Sequence, residues 1–426
     1  MRKCATLLLI PILFVSMFLI QFYVAANSNV STNSSSDYWP MYLHDSAHTG
    51  VTASAGPTEP VELWRFQAGD DLVTSVAVVN GVVYGSGDDI YALNAYTGTK
   101  IWNYTTTDYP YSSPAVSEGV LFIGADNNII ALNALTGTKI WSYPTKGRVV
   151  SSPAVVDGVV YVGSFESVLY ALNASTGSKI WNYPSMDVGY VAYRTEVKSS
   201  PAVVDGVVYF GSWDDNVYAL RASTGEKIWN HTMRDGVDSA PAVSEGIVYV
   251  SSNFGYLYAL NAATGEEIWS FRVSDLVQRL QGFSPTVADG VVYVHSSDFG
   301  ELYALDAYTG DLKWENSGSF HGSAAISGDV VYIGTTAINA STGEGIWHFT
   351  TYGPVYASPV VSNGVVYVAS GDTYLYAIGE PLTTPSPSPT QPPTPSSFPI
   401  TWIVTAIVLL AVFSIALRVY FKKRKH

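Results

Sequence analysis

The sequence predicts an all-β fold: a single eight-bladed β-propeller of four-stranded blades, its last blade closed by the N-terminal strand, plus one C-terminal transmembrane helix. The first observation is a repeat of about 40 residues, a period typical of propeller blades. A complete copy reads SSPAVVDGVVYVGSFESVLYALNASTGSKIWNY, from Ser151 to Tyr183. The other seven copies begin at Ser75, Ser112, Ser199, Ser239, Ser284, Ser323 and Ser358.

The second observation is that each copy contains four short strand patterns. In the complete copy these are SPAVV, VVYVGS, VLYALNA and KIWNY. Asp157-Gly158 and Thr176-Gly177 supply the positive φ angles that tight hairpins need. β-branched and aromatic residues alternate with period 2, and no helical periodicity is present in the repeats. A helical solenoid is therefore excluded.

The third observation is that the two ends of the repeat array are complementary. The last copy, Ser358 to Ile378, stops after its third strand and lacks a tryptophan. The array is preceded by an orphan fourth strand, Val61 to Phe66, with Trp64 at the tryptophan position. Pairing this strand with the last three closes the ring and removes exposed sheet edges. The predicted propeller spans residues 61–380.

The repeats resemble a known family. The run ALNA-TG-KIW, at Ala131–Trp141 and Ala171–Trp181, is similar to the tryptophan-docking repeat of pyrroloquinoline-quinone (PQQ)-type propellers. The lead-in segment, 27–60, is similar to the one that precedes such propellers, with Trp39-Pro40, His44-Asp45, His48-Thr49-Gly50 and Gly56-Pro57. The family includes quinoprotein alcohol dehydrogenases. It also includes cofactor-free scaffolds, such as the propeller lipoprotein of the bacterial outer-membrane assembly machinery. The chain is closest in style to the non-catalytic, cofactor-free PQQ-like repeat proteins of the cell surface or envelope.

The resemblance implies a structural role for one tryptophan in each blade. In the family this side chain packs between neighbouring blades. The corresponding residues here are Trp64, Trp102, Trp141, Trp181, Trp229, Trp269, Trp314 and Trp347.

The flanking segments predict an anchored extracellular protein. Residues 1–26 are typical of a signal peptide, with an uncleaved anchor as the alternative. Cys4, the one cysteine, precedes the apolar run and is not placed as a lipoprotein cysteine. Residues 381–399 form a Pro/Ser/Thr-rich stalk with eight prolines, a composition that favours polyproline II. An apolar transmembrane helix, 400–421, and a basic tail, 422–426, follow, so the positive-inside rule places the C-terminus in the cytoplasm.

Charge and sequons agree with a cell-surface location. The chain has 21 basic and 35 acidic residues, and seven of the basic ones lie in the signal or near the C-terminus. The acidic ectodomain disfavours nucleic acid as a partner. Together with the stalk, the sequons indicate an archaeal surface glycoprotein. N-glycosylation is predicted at Asn29, Asn33, Asn103, Asn173, Asn230 and Asn339.

One face of the propeller carries the length variation. The loops from fourth to first strand and from second to third strand share a face. Long loops occur there at Tyr183–Lys198 and Phe271–Phe283, and a deletion occurs within Tyr332–Ala340. This pattern favours a binding face, since loops on rigid scaffolds carry function; drift in unconstrained loops is the alternative. The predicted binding residues are Tyr190, Tyr193, Arg194, Arg234, Arg279, Gln281 and His321.

No catalytic constellation is found in the sequence. GxSxG, P-loop, dinucleotide and zinc patterns are absent, and the aspartates after each second strand are explained by turn formation. We therefore predict no catalytic residues, no metal and no cofactor, and a binding or scaffolding role toward an envelope or extracellular protein, peptide or glycan. The alternative is a PQQ-dependent dehydrogenase acting on an alcohol or sugar. Alcohol-oxidising members of the family use a vicinal cysteine pair and a calcium-binding Glu/Asn/Asp set, and this chain has no cysteine pair.

Overall fold

The structure is a computed structural model, and it describes residues 39–69, 74–107, 109–184, 195–273, 284–296, 300–318 and 320–380. Every regular element in these ranges is a β-strand. In this part of the chain, therefore, no helix is long and apolar enough to cross a membrane. The predicted signal peptide, stalk, transmembrane helix and tail lie outside the described residues.

The strands form eight antiparallel four-stranded blades, as predicted, and consecutive strands build the first seven. Two strands precede the repeats, β1 (Val51–Thr52) and β2 (Val61–Gln67). Blade 1 consists of β3 (Ala77–Val79), β4 (Val82–Ser86), β5 (Asp89–Asn94) and β6 (Lys100–Thr105). Blade 2 consists of β7 (Ala115–Ser117), β8 (Val120–Ala125), β9 (Asn128–Asn133) and β10 (Lys139–Pro144). Blade 3 consists of β11 (Ala154–Val156), β12 (Val159–Ser164), β13 (Val168–Asn173) and β14 (Lys179–Pro184).

The next four blades repeat this order. Blade 4 consists of β15 (Ala202–Val204), β16 (Val207–Gly211), β17 (Asn216–Arg221) and β18 (Lys227–Thr232). Blade 5 consists of β19 (Ala242–Ser244), β20 (Ile247–Ser252), β21 (Tyr256–Asn261) and β22 (Glu267–Arg272). Blade 6 consists of β23 (Thr286–Ala288), β24 (Val291–His295), β25 (Glu301–Asp306) and β26 (Leu312–Ser317). Blade 7 consists of β27 (Ala325–Ser327), β28 (Val330–Ile333), β29 (Thr336–Asn339) and β30 (Gly345–His348).

Blade 8 is built from both ends of the array, which confirms the predicted closure. Its strands are β31 (Val360–Ser362), β32 (Val365–Ala369), β33 (Tyr374–Gly379) and the N-terminal β2, in the order β2-β33-β32-β31. Trp64 pairs with Ala377 in this sheet. The ring is thus closed by hydrogen bonds between segments some 300 residues apart in sequence.

The first strand of each blade is shorter than predicted. In blade 3 it begins at Ala154 and not at Ser152. Pro153 has no N–H to donate, and the N–H of Ser152 donates instead to Ser200 Oγ of the next blade at 2.9 Å. The residues before the innermost strand therefore bond sideways to a neighbouring blade.

Neighbouring blades are joined through one tryptophan each. Trp181 Nε1 donates to the carbonyl of Ala222 in the next blade at 2.8 Å. A Cβ on Gly177, in the turn beneath the preceding blade's Trp141, would come within 2.7 Å of that indole. The same Nε1–carbonyl bond, at 2.8 to 3.0 Å, is made by Trp64, Trp102, Trp141, Trp229, Trp269 and Trp314 to the next blade and by Trp347 to Pro57.

A β-bulge next to each tryptophan sets the direction of its side chain. In blade 3, Trp181 pairs with Ala171 and Lys179 pairs with Leu172, so Ile180 is left over on the outer strand. Ile180 is exposed, whereas Trp181 is buried. Because a bulge twists an edge strand away from regular pairing, it also protects the outer edge of each blade against strand addition.

The lead-in segment crosses the centre of the ring. The backbones of Trp39 and Val78 in blade 1 exchange two hydrogen bonds, and β1 pairs in parallel with β27 of blade 7. Between these points, carbonyls of the segment accept N–H bonds from innermost strands: Pro40 from Val116, Ser46 from Val203, Ala47 from Val243, Thr49 from Val287 and Gly50 from Ile326. The segment therefore connects six blades and forms a floor across the channel.

Candidate functional site

A cavity of about 210 Å³ lies at the mouth of the central channel. Each of the eight blades contributes residues from the stretch just before its first strand, and Tyr42 of the lead-in segment also lines it. These stretches are the ends of the loops from fourth to first strand. The cavity therefore opens on the face that carries the long loops and the deletion.

Serine side chains connect the blades around this mouth, in an arrangement that we call the serine girdle. In five places a backbone N–H donates to the Oγ of the corresponding serine in the next blade. These bonds are Ser75 to Ser113 (3.2 Å), Ser113 to Ser152 (3.0 Å), Ser152 to Ser200 (2.9 Å), Ala240 to Ser284 (2.9 Å) and Ser323 to Ser358 (2.9 Å). Each hydroxyl that accepts in this way retains its own proton for donation and one further lone pair.

The two serines of the SSPA motif have different partners. Ser152, the second, accepts from blade 2, whereas Ser151, the first, accepts from Gly163 N–H of its own blade at 3.0 Å. Blades 4 and 5 repeat the second pattern, with Ser199 accepting from Gly211 and Ser239 from Ser251. The girdle was missed in the sequence, although the doubled serine at the start of several copies was a visible signal.

Tyr42 completes the girdle where its regular pattern changes. Its Oη lies 3.3 Å from both Ser284 Oγ and Ser323 Oγ, which belong to blades 6 and 7. The ring of Tyr42 makes an edge contact with His48, with 5.8 Å between centroids. The mouth thus has an aromatic floor that is hydrogen-bonded to its rim.

Charged groups lie on one side of the mouth. Lys198 Nζ is 3.5 Å from the centroid of the Trp213 ring, and Trp213 Nε1 donates to Asp238. Asn253 Nδ2 donates to Asp238 Oδ2 at 3.2 Å. Burial raises the pKa of Asp238, against the opposing effects of the Trp213 hydrogen bond and the Lys198 charge. Among the described lining residues, Lys198 and Asp238 are the charged pair.

Aromatic side chains form part of the opposite wall. Tyr111 is 36% exposed, with the Arg148 guanidinium 4.2 Å from its ring centroid. Tyr356 is 49% exposed and packs on His321, with 5.3 Å between centroids. The mouth therefore combines hydroxyls, one cationic and one anionic side chain, and aromatic surface.

A second cavity, of about 270 Å³, lies on the same face beside His321. It lies where blade 7 has its deletion, since only Gly334 and Thr335 connect β28 to β29. Phe320, Phe349 and His348 also line it, and His348 Nδ1 is 3.0 Å from Thr336 Oγ1.

Two of the seven predicted binding residues lie in the described part of the structure. His321 is half-buried between the two cavities. Arg234 is exposed, and its guanidinium lies over Tyr256, to whose Oη it donates at 3.0 Å. The remaining five, Tyr190, Tyr193, Arg194, Arg279 and Gln281, lie outside the described residues.

The sequons fall into two structural groups, with Asn29 and Asn33 outside the described residues. Asn103 and Asn230 are exposed on outer strands, and their Nδ2 atoms donate to Asp89 and Asn216. Asn173 and Asn339 accept backbone N–H bonds across the turn between the third and fourth strands. Asn94, Asn133 and Asn261 make the same turn without a sequon. Turn geometry alone therefore accounts for asparagine at Asn173 and Asn339.

The carboxylates after the second strands are bonded within their own blades or to the adjacent loop. Asp214 and Asp372 accept hydrogen bonds from Tyr218 Oη (2.6 Å) and Tyr376 Oη (2.7 Å). Asp126 Oδ1 accepts from the Thr107 N–H at 2.7 Å. In the described ranges, no group of three or more His, Cys, Asp or Glu is placed to hold a metal ion.

Eight four-stranded blades joined by tryptophans that bond the next blade define a propeller of the PQQ-like repeat class. A family model described as outer membrane protein assembly factor BamB matches residues 53–215, 213–337 and 321–380, and the chain belongs to this family. No curated protein matches the chain significantly.

Solved structures share the fold at low identity. BamB from Moraxella catarrhalis superposes with a TM-score of 0.63 at 19% identity, over 76% of this chain and 100% of that one. Quinohemoprotein alcohol dehydrogenase from Comamonas testosteroni superposes with a TM-score of 0.67 at 17% identity, over 82% of this chain and 81% of that one. A europium-containing methanol dehydrogenase superposes with a TM-score of 0.69 at 14% identity, over 83% of this chain and 100% of that one. The neighbours thus include an assembly factor and enzymes, and likeness at this level shows the fold alone.

The described residues of the mouth do not fit PQQ and calcium. PQQ is a flat fused-ring quinone with several carboxylates, and one lysine, opposed by Asp238, is the cation among the described lining residues. The cavity, about 210 Å³, is below the roughly 300 Å³ at which sites for drug-sized ligands begin. The described carboxylates also provide no metal cluster.

Proposed function

We propose that this protein is a non-enzymatic binding or scaffolding module, which engages an envelope or extracellular protein, peptide or glycan through the loop face of its propeller. One observation carries the proposal. All eight blades converge on a single cavity, and that cavity opens on the face where the insertions and the deletion occur. A rigid ring that presents variable loops around a pocket is a common arrangement for recognition.

The chemistry of the mouth supports binding rather than catalysis. Its hydroxyls hold neighbouring blades together through backbone N–H bonds. Asp238 is held by Trp213 and Asn253. None of these groups forms a nucleophile–base pair of the kind that covalent catalysis requires. The PQQ-dependent dehydrogenase remains the alternative, because one similar structure is by name a quinohemoprotein alcohol dehydrogenase and another a methanol dehydrogenase.

We also propose the location that the flanking sequence predicts. A signal at residues 1–26, a stalk at 381–399 and an apolar segment at 400–421 would hold the propeller outside an archaeal cell membrane. Because seven of the 21 basic residues lie in the signal or near the C-terminus, the extracellular part has a large excess of acidic residues, which would keep it soluble and away from nucleic acid.

Site-specific photocrosslinking in intact cells tests the binding face. A photoreactive amino acid at Tyr356, exposed beside the mouth, is expected to yield a discrete adduct with an envelope component. The matched control position is Tyr96, which is 74% exposed in a turn on the opposite face and is expected to yield no adduct. Adducts at Tyr96 alone, or none at either position, would contradict the proposal.

A further inference from the structure

We infer that the channel mouth binds one neutral sugar residue, such as the terminal unit of a glycan. This inference rests on the proposed function, since it names the ligand class for the same face. Three features carry it: the chemistry of the serine girdle, the balance of charge and the aromatic surface.

The serine girdle favours a ligand with hydroxyl groups. Hydroxyls such as Ser152 Oγ, which already accept one N–H bond, can still both donate and accept. The backbone N–H groups of Ser113, Ser152 and Ala240, by contrast, already donate to serines of the next blade. Anions in backbone concavities are held by free N–H groups, and these N–H groups are occupied. A polyhydroxylated ligand matches what remains.

Charge points in the same direction. Lys198 and Asp238 both line the cavity, so its described charges balance. Together they offer one cationic donor and one carboxylate acceptor, which a sugar's neighbouring hydroxyls can use at once. An anionic ligand would in addition approach a protein of net charge −14.

Aromatic surface provides the third feature. Tyr42 lies beneath the mouth, and Tyr111 and Tyr356 stand at its wall. Aromatic faces carry partial negative charge, which attracts the polarised C–H groups of a sugar ring. The volume of about 210 Å³ is below the roughly 300 Å³ where drug-sized sites begin, so one ring fits better than a chain.

Saturation-transfer NMR with the full-length chain tests the inference. The probes are the methyl glycosides of glucose, galactose, mannose and N-acetylglucosamine, with acetate and glucuronate as anionic probes. At least one neutral glycoside is expected to bind in the millimolar range. If none binds, or if only the anionic probes bind, the inference is wrong.

A pair of serine variants locates the binding. Ser152→Ala and Ser151→Ala each remove one buried acceptor of a backbone N–H, but only Ser152 lines the mouth. Ser152→Ala is expected to weaken glycoside binding about tenfold, equivalent to about 1.4 kcal/mol, while Ser151→Ala leaves it unchanged. Lys198→Met keeps every girdle bond, so it provides the same test if Ser152→Ala fails to fold. Equal losses in both serine variants, or unchanged binding in Lys198→Met, would overturn the assignment.

The two proposals fail in different ways. If no glycoside binds but crosslinking at Tyr356 still yields an adduct, the binding face stands and the sugar assignment falls. If crosslinking also yields nothing, the proposed function falls as well.

Discussion

Replacing Trp229 by alanine is expected to lower the free energy of unfolding by about 3–5 kcal/mol, the usual cost of deleting a large buried aromatic side chain. The indole is 8% exposed, and Nε1 donates to Ala262 of the next blade at 3.0 Å. It also lies against the Gly265 turn of that blade. The variant therefore loses packing and a hydrogen bond at the same interface. Urea unfolding followed by tryptophan fluorescence and circular dichroism measures the change.

Two further variants test the reason for the loss of stability. Trp229→Phe retains much of the buried surface but loses the N–H donor, so a smaller loss of about 1–2 kcal/mol is expected. Tyr352→Ala changes a side chain that is 84% exposed, and its effect is expected to stay within about 0.5 kcal/mol. If Trp229→Ala were no more destabilising than Tyr352→Ala, the tryptophans could not be the main links between blades.

Acidification from pH 7 to pH 4 is expected to destabilise the propeller through the lead-in segment. His48 is 1% exposed, its Nδ1 lies 3.1 Å from the Pro241 carbonyl, and burial lowers its pKa from 6.5 to about 4. Between these values the unfolded chain binds a proton that the folded chain does not. The contribution of neutral His48 to the free energy of unfolding is thus fully present above about pH 6.5. As the pH falls toward 4, about 3 kcal/mol of it is lost.

The substitution His48→Asn isolates this effect. His48 has a φ of 58°, a region that asparagine tolerates well, and asparagine keeps an N–H donor without titrating. Melting temperatures between pH 7 and pH 4 are expected to fall less in His48→Asn than in the wild type. Buried His295, whose pKa is lowered to about 3 mainly by burial, keeps part of the dependence in both proteins. His348→Asn, which changes an exposed histidine, is the control variant, and an equal change of the pH profile in both variants would refute the assignment to His48.

The propeller itself could be predicted because its signals are local and repeated. Turn residues, alternating strands and the tryptophan recur in each copy, and the orphan strand at Val61 shows how the ring closes. The structure confirms this closure, with Trp64 paired to Ala377. Repetition thus compensated for the weakness of any single strand signal.

The channel mouth could not be predicted in the same way. The lead-in segment is held to six blades mainly through backbone groups, which leave little trace in the choice of side chain. The girdle joins serines that lie 35 to 48 residues apart, and its cavity exists only once the ring is closed. The sequence did show that the variation lies on this face. Charge and size at the mouth, from Lys198, Asp238 and Tyr42, required the structure.

The most direct test of the central claim is a titration of the full-length chain with PQQ and millimolar calcium, followed by thermal melting and absorbance. The proposed binding module predicts no saturable shift in melting temperature and no bound-quinone spectrum, because the described mouth presents one lysine opposed by Asp238 and no metal cluster. A saturable shift with a quinone spectrum, and reduction of a dye by an alcohol or sugar, would contradict the account and identify a dehydrogenase.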